Sequence, residues 1–249
     1  MDSQILIVIL GAALAGFVQG LSGFGFSITA MSLWAWTLDP RLAAALAVVG
    51  GFSGQLLAAL TVRRGFDPRR LAPFLLGGLA GVPLGVWLLP RLDVAQFKTV
   101  LGATLVIVCP LMILVDRLPR VTHGGRIADA VSGGVGGLMG GIGGFSGVVP
   151  SLWCTLRGYP KDTQRSVVQN FNLAMLAVTF ATYLATGIVR ESHASMLALV
   201  VPAMVLPSLL GARLYRRLGD KDYRQLVLAL LTASGVALLA AGLPALVMR

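Results

Sequence analysis

Ser27 and Ser146, with the carboxamides of Gln169, Asn170 and Asn172, are neutral hydrogen-bonding residues set well inside long apolar stretches. A hydroxyl or amide N–H can donate to the oxygens of a small anion without the desolvation cost of a buried lysine. The two serines close or sit within glycine-rich runs, Gly20–Leu–Ser–Gly–Phe–Gly–Phe–Ser27 and Gly140–Gly–Ile–Gly–Gly–Phe–Ser–Gly147, one near the start of each half. Glycine takes dihedrals that other residues avoid, so each run is expected to break a helix inside a nonpolar environment. Backbone N–H groups freed at such a break favour negative charge. Gly23, Gly25 and Ser27 from the first run, Gly143, Gly144 and Ser146 from the second, and Gln169, Asn170 and Asn172 form the expected anion site. Two carboxamides within three residues of an apolar helix are costly unless they bond a ligand or a neighbouring helix, and both roles stay open. Small residues such as these serines and glycines also permit close helix packing.

A membrane is the environment that can position these groups. Of 249 residues 56% are apolar and 12% charged, and the mean hydropathy is +0.84, whereas soluble domains carry about 25% charged residues. The net charge of +10 comes from basic residues strung along short loops, not from a patch interleaved with aromatics, so a nucleic-acid partner is not expected. Eight apolar segments follow, roughly 4–37, 42–62, 71–89, 97–115, 127–156, 166–187, 194–212 and 223–247. Most are long enough to cross a bilayer once, and the first and fifth, the longest, hold the glycine runs. None shows the period-two alternation of a β-barrel. The expected fold is an all-α polytopic membrane protein, one transmembrane domain over 1–249. With Asp2 and no basic residue at the start, no cleavable signal is expected.

The halves resemble each other. Gly25-Phe26-Ser27 aligns with Gly144-Phe145-Ser146, and Ser32-Leu33-Trp34 with Ser151-Leu152-Trp153, both at a spacing of 119 residues. This gives a first repeat of about 4–116 and a second of about 126–247. If each broken segment, re-entrant or discontinuous, enters and leaves on one side, each half crosses three further times and the second half is inverted. The loops at 63–70, 116–126, 157–165 and 213–224 then place 15 Lys and Arg on one side, leaving Arg41, Arg91, Lys98, Arg190 and Arg249 on the other. That bias is what the positive-inside rule requires, and inverted repeats with broken helices are a transporter design.

All ten acidic residues fall in loops or at segment ends, Asp129 among them, which fits an anion path lined by neutral donors better than a cation pump. Gly144-Phe145-Ser146-Gly147 matches a Gly-x-Ser-Gly protease pattern, but a serine nucleophile needs a base in reach. The two histidines, His123 and His193, lie in expected loops. No enzyme activity, metal or cofactor is expected. Cys109 and Cys154 read as small buried apolar residues. Gly77, Gly81 and Gly85, four apart and without polar company, read as a helix-packing face.

Gly-Leu-Ser-Gly-Phe-Gly-Phe at 20–26, Gly-Gly-Ile-Gly-Gly-Phe-Ser-Gly at 140–147 and Leu-Gly-Ala-Arg-Leu at 210–214 resemble the TauE/SafE family of membrane transporters over essentially the whole chain. The resemblance implies a secondary transporter exporting sulfite or an organosulfonate across the bacterial inner membrane by alternating access. Its partners would be a small inorganic or organic anion and the lipid bilayer, with a homo-oligomer a possible assembly. The chain departs from the family where Phe24 and Phe26 interleave the first glycines, and where Gln169-Asn170-Phe171-Asn172 replaces the Thr-Ser pair of many members. A substrate other than sulfite is therefore compatible with it. An anion channel or a subunit of a membrane complex is the alternative reading.

Overall fold

A computed structural model describes residues 2–23, 25–61, 65–115, 118–121, 123–215 and 220–247. Phe24 and several loop charges counted above (Arg63, Arg64, Asp116, Arg117, Arg216, Arg217 and Arg249) lie outside them. The described elements are helices: α1 (Asp2–Ser22), α2 (Phe26–Trp34), α3 (Pro40–Thr61), α4 (Pro68–Leu88), α5 (Val94–Leu114), α6 (Gly125–Gly143), α7 (Val148–Leu156), α8 (Lys161–Ala185), α9 (Ala194–Tyr215) and α10 (Asp220–Val247), with single turns at Leu89–Arg91 and Glu191–His193. Helices satisfy their own backbone groups, as a bilayer demands. Seven of them, α1, α3, α4, α5, α8, α9 and α10, are long and apolar enough to cross a membrane. The many glycines of α6 lower its hydropathy, yet its 19 residues extend about 28 Å at 1.5 Å per residue.

The two longest apolar segments each split at the glycine run into a long helix and a nine-residue helix. The same series, long helix, break, short helix, three long helices, therefore occurs twice, as α1–α5 and α6–α10. Each short helix folds back along its long one. At the end of α2, the Trp34 Nε1–H donates to the Ile7 carbonyl at 3.2 Å, and its ring covers Gly11. In α7, the equivalent Trp153 donates to Asp129 Oδ1 at 2.7 Å, while Gly136 and Gly140 of α6 lie against Pro150 and Ser146. Asp129 is thus not at a solvated segment end. The returning α7 covers it, it is 4% exposed, and Arg157 Nε stands 3.9 Å away.

Long helices pair across the halves: α1 with α9, α4 with α6, α5 with α10. Gly77, Gly81 and Gly85 of α4 press on the backbone of α6 at Ala130, Gly134, Leu138 and Gly141, in rising order on both, so the two helices run parallel. Gly16 and Gly20 of α1 meet Met204 and Ser208 of α9 in the same sense. In contrast, Gly102 meets Gly235 and Leu239, and Gly242 meets Thr99, so α5 and α10 are antiparallel. Absent side chains let these backbones approach closely, which replaces the missing hydrophobic drive between helices in lipid.

The loops collect at two ends. At one, the Gly65 carbonyl accepts from Ser166 Oγ and Asn170 Nδ2, the Arg70 guanidinium stacks 5.3 Å over Tyr159, and the Val121 amide donates to Leu156 at 2.8 Å. At the other, Arg41 donates to the Pro90 carbonyl at 3.0 Å, and Lys98 sits 5.1 Å over Trp36. Arg70 and Arg157 thus stand at the first end, and Arg41 and Lys98 at the second.

Candidate functional site

At the first break Gly23 adopts φ +82°, a value open to glycine and costly to residues with a Cβ. The local groups then satisfy one another. The Gly25 amide donates to Ser22 Oγ and the Phe26 amide to Gln19 Oε1, each at 3.0 Å, and Gln55 Nε2 donates to the Gly23 carbonyl at 2.6 Å. The expectation that this break offers these amides to an anion is corrected: side chains seven and three residues upstream have reached back to occupy them. Gly25 itself keeps an ordinary φ of −83°.

The second break turns at Gly144, φ +78°, whose amide still closes α6 on the Gly140 carbonyl at 2.7 Å, a left-handed helix end. Here the two halves meet. Ser27 Oγ, which donates to the Ala47 carbonyl at 3.1 Å, lies 3.0 Å from the point a Cβ on Gly144 would occupy, and Met31 packs on Gly143. Ser146 Oγ donates across to Asn172 Oδ1 on α8, and Gly147 packs on the same carboxamide. Ser27, Ser146 and Asn172 are all buried. That bond occupies the Asn172 oxygen and leaves Nδ2 with no hydrogen-bond partner among the described residues.

Gln169 is buried beside Gly23, and its Oε1, like Gln19 Nε2, is buried without a hydrogen-bond partner. Native interiors seldom leave such atoms unpaired, and a bound ligand or water is the usual explanation. Asn170 points elsewhere: with Ser166 it holds the Gly65 carbonyl. Helical spacing explains the split, because 169 and 172 share one face of α8 and 166 and 170 another. The reading from sequence passed over Gln19 and Gln55, which complete the polar cluster. Each is a lone carboxamide in an otherwise apolar segment, the same signal that drew attention to Asn172.

The cluster is made of hydroxyls and carboxamides, with glycine backbone between them. His123 and His193 lie in loops at opposite ends, away from Ser146. Such a centre can bind and release a polar solute.

Membrane-crossing helices, broken twice around a buried neutral cluster, define a polytopic helical membrane protein with a polar centre. The family model of the sulfite exporter TauE/SafE matches residues 8–238, and the chain belongs to this family of membrane transporters. No curated protein and no solved structure matches the chain.

Proposed function

We propose that the protein is a secondary carrier that exports a small oxyanion, sulfite or an organosulfonate, across the bacterial inner membrane. The ligand sits where the two breaks meet. Asn172 Nδ2 and the Ser146 hydroxyl donate to its oxygens, Ser27 and Gln169 border it, and Gly23 and Gly144 turn the backbone beside it, with Gly143 packed on Met31. Gly25 shapes the first break, and Asn170 holds the adjoining 65–70 loop. The observation that carries this reading is that two amide donors of the cluster, Asn172 Nδ2 and the buried Gln19 Nε2, have no hydrogen-bond partner among the described residues.

Two inverted repeats supply the mechanism. The equivalent helices α5 and α10 pack antiparallel, as an in-plane twofold requires, and alternating access rocks one such unit against the other. With the basic loop end cytoplasmic, an inside-negative potential drives anions outward by about 2.3 kcal/mol per charge per 100 mV.

Thermal unfolding of the purified protein against sulfite, sulfoacetate, thiosulfate and acetate tests the ligand, since binding raises stability by mass action. A rise confined to the sulfur oxyanions is expected. An equal rise with acetate, or none with any sulfur anion, overturns the substrate class. A cysteine at Arg69, exposed at the basic end, should resist an impermeant thiol reagent in intact cells; labelling there overturns the orientation.

A further inference from the structure

At the end opposite the basic loops, Arg41, Pro90, Thr186, Gly187, Ile188, Arg190 and His193 surround a cavity of about 180 Å³. None of its lining residues belongs to the two breaks, and its chemistry is of the other kind: charged where the centre is neutral. Three parts of the chain build it, namely the start of α3, the turn after α4 and the α8–α9 connection.

Each part is held in place. Asp39 Oδ1 accepts from the backbone amides of Arg41 and Leu42 at 3.0 and 3.4 Å, which fixes the start of α3. The Arg41 guanidinium donates to the Pro90 carbonyl at 3.0 Å, which anchors it with further N–H groups to spare. Gly187 takes φ +71°, with nothing within 4 Å of the place a side chain would occupy, so the chain turns and leaves space. Ile188 is buried just beyond and pins the connection.

Within this frame the Arg41 and Arg190 guanidiniums have no ion-pair partner among the described residues. His193 Nδ1 is buried without a hydrogen-bond partner, and the next residue opens α9, whose terminal amides favour negative charge. The cavity has the volume of about six waters at about 30 Å³ each, room for a tetrahedral or pyramidal oxyanion and some of its hydration.

We infer that this cavity is a second oxyanion site, a vestibule in which a sulfur oxyanion is held between the Arg41 and Arg190 guanidiniums at the face opposite the basic loops. Planar guanidinium forks suit sulfonate and sulfite oxygens as they suit carboxylates. The ligand class rests on the oxyanion reading given above, but the site shares no residue with the central cluster. Being open to solvent, it binds more weakly than the centre and is screened by salt.

Calorimetric titration of the purified full-length protein with sulfite at low salt tests this. Two classes of site are expected. Arg190→Gln should weaken the weaker class by about fivefold or more and spare the tighter one, and Arg190→Lys should restore part of it. Arg190 is exposed, so both variants should melt like the parent protein. Asn172→Ala should remove the tighter class and leave the weaker. An isotherm unchanged by Arg190→Gln, or a single class of site that Asn172→Ala abolishes, overturns the vestibule. If Arg190→Gln abolishes binding and Asn172→Ala has no effect, the vestibule stands and the central site falls.

Discussion

The two broken hairpins share a plan and differ in where their polar groups go. In α1–α2, Ser22 and Gln19 turn onto the amides of Gly25 and Phe26, and the Trp34 indole ends on a backbone carbonyl of the same hairpin, at Ile7. In α6–α7, Ser146 leaves its hairpin for Asn172, and the Trp153 indole ends on the buried carboxylate of Asp129. A groove of about 610 Å³, lined by Ile127, Val131, Val135, Val149 and Leu152, stays open between α6 and α7. The same backbone break thus serves two ends. The first spends its amides on its own side chains and its Ser27 hydroxyl on the Ala47 backbone of α3 and acts as a shaped support, while the second sets its hydroxyl against a side-chain carboxamide, where a ligand can compete for it.

Glycine-to-alanine exchanges at the two breaks should separate them most. At Gly144 a methyl group meets both a left-handed backbone and contacts of 3.0 Å to Ser27 Oγ and 3.1 Å to Val48, and the dihedral alone costs about 1–2 kcal/mol. Gly144→Ala should abolish uptake into inverted vesicles, normalised to folded protein. Gly25→Ala has an ordinary φ and meets only the Ser22 and Val18 side chains, so it should retain part of the activity. Equal and complete loss in both would erase the distinction.

A smaller contrast sits on the side chains. Asn172→Ala removes a donor to a desolvated anion, about 1.5–3 kcal/mol, and should weaken sulfite binding roughly 10- to 150-fold. Ser22→Ala removes the cap on the Gly25 amide, so it should lower stability by about 1 kcal/mol with affinity unchanged. A melting-point loss in Asn172→Ala with normal affinity would make that residue a packing group instead.

The smallest contrast is between the two tryptophans. Trp153→Phe strips a hydrogen bond from a buried carboxylate and should cost about 1.5–3 kcal/mol, against about 0.5–1.5 for Trp34→Phe, which frees a peptide carbonyl. Denaturation in detergent would rank them, and the reverse order would show that Asp129 draws its stability from Arg157.

Much of this design is legible in the residues. The glycine runs mark both breaks because no other residue turns at φ near +80° without strain, and Gly77, Gly81 and Gly85 announce a close interface by spacing alone. The capture of the Phe26 amide by Gln19 is not legible, since it exists only once α2 has folded back over α1. Asp129 misled for a related reason: its place near the start of α6 suggests solvent, and only the return of α7 buries it. Asn170 and Asn172 look alike in a row of letters, and the helical phase of Gln169 is what parts them.

The pairing of long helices has a further consequence for biosynthesis. Because α1 lies on α9, α6 on α4 and α5 on α10, neither half contains the main neighbours of its own glycine-faced helices. When only the first half has left the ribosome, α1 and α4 stand in lipid with bare backbone ridges awaiting helices not yet made. The chain therefore behaves as two complementary fragments whose peptide link chiefly raises their effective concentration. Cut in the 118–124 connection and coexpressed, the fragments should find each other and assemble, while either one alone should be cleared by membrane proteases.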